Sequence, residues 1–241
     1  MLIMQKNSFN KNDRITNAGF VVSVGLIWLV FLFIPLLFLA FGVSDVSPLV
    51  HILLPSAIIL PVLCFTLYFV GRPGKLLRKF KLVNLRPAHI FVSFAALVVL
   101  AVCMKDLMQI YLHVLALLDI KAEPPVIDQL IKNSSRDTLV WLCFGVIVLA
   151  PVSEELVFRR FIFGFLAPRC GFTASLLISS ALFAFIHFSL YSFPGLFILG
   201  VGFQLVYLKF GSLYPAILMH AFNNAFAVII ILFFPELQTY G

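Results

Sequence analysis

Six side chains of this 241-residue chain could together hydrolyse an amide: Glu154, Glu155, Arg159, His187, His220 and Asn224. The two glutamates lie in Pro151-Val-Ser-Glu154-Glu155-Leu-Val-Phe-Arg159-Arg160, inside a long apolar stretch. On a helix Glu155 and Arg159 fall about 40° apart. They form an i,i+4 pair with the acid on the N-terminal side, the favoured order. Glu154 lies about 140° from Arg159, so one carboxylate is tied to a guanidinium and the other is free. A free carboxylate can take a proton from water as a general base. His187, facing Glu154, could share that water and orient it. His220 and Asn224, four residues apart on one helical face, can donate hydrogen bonds to an oxyanion on a peptide carbonyl. Phe183 precedes His187 by four, which lets its ring pack beside the imidazole. Ser153 and Ser189 have no histidine at evident reach, so the chemistry expected is attack by activated water, without a covalent intermediate.

Two other readings use the same residues. A glutamate with two histidines is a legitimate zinc set, which makes zinc at Glu154, His187 and His220 the competing reading. The chain has no HExxH, however, and its histidines come from different helices, so no cofactor is expected. A buried ion-pair cluster that only fixes packing would explain Glu155 and Arg159, but it leaves Glu154 charged and unpaired. Cys64, Cys103, Cys143 and Cys170 are scattered without CxxC spacing and are read as packing residues.

The elements that position these groups follow from composition. Apolar residues make up 62% of the chain and charged residues 11%, against about 45–50% and about 25% in a soluble domain. So much apolar surface cannot be buried in a globule of this size, which excludes a soluble enzyme. The net charge of +7 is sparse and lies between apolar runs, so no nucleic-acid partner is expected. The composition predicts an all-α, polytopic transmembrane bundle.

A span needs about 20 apolar residues. The candidates are 19–43, 49–70, 88–118, 138–167, 172–193, 195–210 and 212–234. An eighth span, or a re-entrant segment around Pro194, is the alternative to seven. The run 19–43 is too long for a cleavable signal and is read as a retained first helix. Loop 71–87 carries six basic residues and no acid, which places it and the N-terminus in the cytoplasm. Loop 119–137, of mixed charge, suits the outer face. The chain divides into a cytoplasmic N-terminal segment (1–18), N-terminal helices and loops (19–137) and a catalytic core (138–241), with no second domain.

Ionisable residues inside a membrane mark function by default, and Glu154, Glu155, His187 and His220 are the mid-span ones. If the turn between the fourth and fifth spans falls near Gly171, Glu154 and His187 meet roughly 24 Å from it along two helical arms. His220 lies only roughly 13 Å past the Gly211 turn on the same scale. The levels match if the first hairpin projects into the cytoplasm, which places the site in the inner half of the bilayer.

Glu154-Glu155-x-x-x-Arg159, Phe183-x-x-x-His187 and His220-x-x-x-Asn224 resemble, in order and at all seven positions, the three motifs of the CPBP family. This is the CAAX-protease and bacteriocin-processing (Abi) group, which includes the type II CAAX prenyl endopeptidases. The likeness covers roughly residues 138–234. It implies an intramembrane endopeptidase with a cavity open to the cytoplasmic side. It implies that Glu154 and His187 activate water, that His220 and Asn224 form the oxyanion hole, and that Glu155 and Arg159 support them. The partners expected are the lipid bilayer and a membrane-embedded or lipidated peptide. Short loops and compact size suit a bacterial inner membrane better than a eukaryotic endoplasmic reticulum. A non-catalytic immunity or binding protein has no reason to keep the unpaired Glu154. A proton-coupled transporter would often show two repeated halves, and no repeat is present.

Overall fold

The computed structural model describes residues 86–234 apart from Pro124, together with Gly25. The expected segment 1–18, the spans 19–43 and 49–70, loop 71–87 up to residue 85, and Cys64 lie outside the described residues, Gly25 excepted. All regular structure among the described residues is helical. Among the described residues four helices are long and apolar enough to cross a membrane.

Helix α1 (Pro87–Leu117) starts with a proline in its first turn, where the missing N–H costs nothing. Its bounds fall within one residue of the expected span. Ser93, fully buried, donates to the Pro215 carbonyl at 2.7 Å and ties α1 to the last helix. The expected outer loop 119–137 holds a short helix, α2 (Val126–Asn133). Asp128 in its first turn and Lys132 in its last complement the helix dipole. Ile131 buries against Val228 and Ile231.

Helix α3 (Arg136–Cys170) is a single 35-residue rod. Ser135 caps it, accepting from the Thr138 N–H. Its regular winding is interrupted twice by wider π-turns, Gly145–Leu149 and Leu156–Ile162. The six residues between them, Ala150–Glu155, carry both glutamates. Pro151 accounts for the first widening: its ring clashes with the carbonyl four residues back, and it has no N–H to offer. Gly171, at φ +81°, reverses the chain in one residue, a conformation that L side chains rarely adopt. Helix α4 (Phe172–Phe185) returns along α3.

Two expectations need correction here. The span 172–193 is one 14-residue helix followed by turns. His187 is therefore not mid-helix but lies just beyond the end of α4, where Phe188 takes a left-handed φ of +47°. Pro194 stands in the first turn of α5 (Phe193–Phe210). Gly211, at φ +60°, ends α5, and α6 (Tyr214–Phe233) follows.

Helices α4, α5 and α6 pack in sequence, and α1 lies across α5 and α6. The core joins Leu156, Phe158 and Phe161 of α3 to Phe183, Phe203, Tyr207 and Met219. Gly200 lets α5 approach closely: a Cβ there would stand 3.1 Å from Ser180 Cβ and 3.3 Å from the Phe183 ring. That approach sets Phe183 and Phe203 edge to face, 6.1 Å apart, beneath the site.

Candidate active site

Glu155 is fully buried, as is Arg159, and their Oε2 and Nε atoms lie 2.9 Å apart. The contact is an ion pair rather than a well-aligned hydrogen bond. The guanidinium lies over the rings of Phe183, at 4.8 Å, and Phe203, at 5.5 Å. Three aromatic faces, counting Phe158 at 5.9 Å, thus stand within cation–π reach of the guanidinium. The expected i,i+4 pair is present even though a π-turn lies between its members.

The other oxygen of Glu155 has a partner that helical spacing could not show. His220 Nδ1 lies 3.0 Å from Glu155 Oε1. The His220 ring stacks on Phe203, with centroids 4.8 Å apart and planes at 18°, and meets the Phe183 edge at 5.6 Å. Glu155 therefore joins Arg159 on one side to His220 on the other, all three buried. Against an ionised carboxylate Nδ1 must donate, which leaves Nε2 pointing at Glu154.

Glu154 keeps 22% of its side chain exposed. Its Oε2 stands 3.9 Å from His187 Nε2 and 3.8 Å from His220 Nε2. His187 holds its place through the helix end. Its own N–H has turned back to Ala184, three residues away, so its ring takes up the Phe183 carbonyl with Nδ1 at 2.8 Å. A carbonyl only accepts, so Nδ1 carries the proton and Nε2 presents a lone pair to Glu154. The Phe183 ring packs at 5.0 Å from the imidazole, as the four-residue spacing predicts.

Asn224 is held differently. Its Nδ2 donates to the Val146 carbonyl at 2.8 Å, and its Oδ1 accepts from Asn223 Nδ2 at 3.2 Å. These two bonds fix the orientation of the amide and leave one N–H for another acceptor. Besides His220–Glu155, sequence reasoning missed Phe203, which sits in an apolar run without a signal, and the bond from Ser179 to the Phe158 carbonyl at 2.9 Å. Pro151 was visible, and counting back five residues from it would have pointed to Val146.

The donor types of Glu154, His187 and His220 suit zinc, and each imidazole has its far nitrogen fixed as at metal sites. The spacing does not suit zinc. Two ligand atoms on one tetrahedral zinc lie about 3.3 Å apart, whereas these gaps are 3.8 and 3.9 Å. Among the described residues no group of three or more His, Cys, Asp or Glu is gathered closely enough to hold a metal ion.

Residues 136–226 match the family model described as "Type II CAAX prenyl endopeptidase Rce1-like". The chain is 35% identical over 99 residues to the "Membrane-embedded CAAX protease MroQ" of Staphylococcus aureus, a match covering 39% of this chain and 40% of that protein. It is 32% identical over 82 residues to the "Putative membrane peptidase YdiL" of Bacillus subtilis, covering 34% of each. The matched stretch thus spans well under half the length of either relative. No solved structure matches the chain. By its motifs and by this match, the segment 136–226, from α3 into α6, is similar to the Rce1-like type II CAAX prenyl endopeptidase family.

Proposed function

We propose that this chain is a multi-pass intramembrane endopeptidase that hydrolyses a peptide bond with glutamate-activated water. One observation carries the reading: a partly exposed Glu154 faces two imidazole nitrogens, while its neighbour Glu155 is consumed by Arg159 and His220.

Glu154 Oε2 takes one proton from a water held between it and the Nε2 lone pair of His187. A water oxygen about 2.8 Å from each partner suits a gap of 3.9 Å. The water oxygen attacks the scissile carbonyl carbon, and the carbonyl π electrons move onto oxygen. Donors for that oxyanion are His220 Nε2 and the spare N–H of Asn224. With Nδ1 committed to Glu155, His220 donates from Nε2 only as imidazolium. The Glu155 carboxylate beside it stabilises that cation, and Arg159 balances the carboxylate in turn. As the intermediate collapses, the C–N bond breaks and Glu154 passes its proton to the leaving nitrogen. The products are an amine and a carboxylic acid, which becomes a carboxylate by releasing the second water proton to solvent, with no acyl-enzyme. No step runs through a metal.

The similar family is one of CAAX prenyl endopeptidases and MroQ is a CAAX protease, which suggests a lipidated or membrane-associated peptide as substrate. Both named relatives are bacterial, in keeping with a bacterial cell membrane. Purified protein incubated with a membrane-peptide library, with Glu154→Gln alongside, tests the reading. Cleavage by wild type alone supports it. Equal cleavage by both overturns the assignment of Glu154, and no cleavage by either favours a non-catalytic binding protein.

A further inference from the structure

Both π-turns of α3 end on a carbonyl that a side chain from another helix takes up. In the first, the Ala150 N–H goes to Gly145. The N–H that would serve Val146 five residues on belongs to Pro151, which has none. The Val146 carbonyl is left without a backbone donor, and Asn224 of α6 supplies one at 2.8 Å. In the second, the Phe158 carbonyl accepts the Phe163 N–H five residues on. It also accepts the Ser179 hydroxyl of α4 at 2.9 Å, and Ser179 is fully buried. The stretch Ala150–Glu155 between the two turns has ordinary helical winding and carries both glutamates.

A π-turn amounts to one extra residue in a helix. Closing one into α-geometry would swing everything beyond it by about 100° relative to what precedes. The rotation of Glu154 towards His187 and His220 therefore depends on both turns staying open. The residues at the two turns are chemically apt for this: a proline that denies the first turn its closing bond, and two donors on neighbouring helices that bond the widened backbone.

We propose that Pro151 and Ser179 are positioning residues for the site. Pro151, acting with the Asn224 amide, holds open the turn before the glutamates, and Ser179 holds open the turn after them. Together they set the direction of Glu154. The proposal rests on the hydrolytic reading above, and it gives Asn224 a bond to the scaffold as well as its donor role.

The diagnostic variant is Pro151→Ala, which restores an N–H and improves helix propensity. Its melting temperature should equal or exceed that of wild type, while kcat falls by about 10²-fold and KM changes little. A residue that merely supported stability would not give a firmer protein with a slower reaction. Ser179→Ala should lower kcat in the same way and shift the pH profile of kcat, because Glu154 would face its histidines differently. Wild-type kcat in either variant overturns the proposal for the π-turn concerned. Amide exchange supplies a readout free of activity: Ser179→Ala should speed exchange over residues 156–163 and leave 145–150 unchanged. If wild type cleaves nothing yet exchange changes as stated, the functional reading fails and the pinning stands. Unchanged exchange overturns the pinning itself.

Discussion

Glu155 and His220 lie 65 residues apart in sequence and 3.0 Å apart in space, carboxylate oxygen to Nδ1. This contact links the motif on α3 to the motif on α6 and converts a local ion pair into a buried relay of Arg159, Glu155 and His220. It gives Glu155 a role that Glu154, one residue away, cannot share.

Removing Glu155 should therefore harm folding and chemistry together. Glu155→Gln strands the Arg159 guanidinium among three aromatic rings, and breaking a buried pair in this way costs about 3–5 kcal/mol. Arg159→Ala strands the carboxylate at a similar cost. Both should lower the melting temperature in detergent, whereas Glu154→Gln should leave it nearly unchanged. Equal destabilisation by all three variants would contradict this division of labour.

Chelation should leave activity intact if Glu154 activates water directly. Strong chelators should not inhibit the purified protein, and elemental analysis should find no stoichiometric zinc. Inhibition that added zinc reverses would move the assignment to a metallopeptidase built on Glu154, His187 and His220.

Asp128 on α2 gives a pH signature well away from the site. Burial pushes its carboxyl above the ordinary 3.8, an effect that Lys132 only partly offsets. A raised carboxyl favours the protonated native state. Its contribution to stability is thus complete below 3.8 and is lost as pH rises through the raised value. Melting curves of wild type should fall relative to those of Asp128→Asn as pH climbs across that window, and parallel curves would contradict it.

The side of action can be read by cysteine labelling on a Cys-free background with a membrane-impermeant reagent. A cysteine at Arg169, at the tip of the α3–α4 hairpin, should label only once the membrane is opened. One at Glu123 should label in intact cells. Labelling of position 169 from outside would invert the hairpin and remove the cytoplasmic-side reading.

Much of the fold was legible because its signals are local. Hydropathy located α1, α3, α5 and α6, and the one-turn spacing of Glu155 with Arg159 and of Phe183 with His187 foretold two local contacts. Hairpin counting brought Glu154 near His187 even though α4 stops at Phe185, because the missing helical turn is replaced by a tight bend that keeps the ring close. What stayed hidden needed partners from elsewhere. The stacking of Phe203 on His220 depends on how α5 meets α6, and nothing in an all-apolar helix marks one ring among several. The bond between Asn224 and Val146 depends on a carbonyl orphaned by Pro151, so it could be counted but not paired. Helix α2, within the connection 119–137, was not marked by the mixed charge of that stretch, and it forms where Ile131 finds apolar cover on α6.

The central claim is that Glu154 is the base, and the most direct measurement is the single-turnover cleavage rate of Glu154→Gln beside wild type on one cleaved peptide, with melting temperatures taken on the same preparations. Loss of cleavage at an unchanged melting temperature is the expected result. Cleavage at the wild-type rate by the folded variant would contradict it.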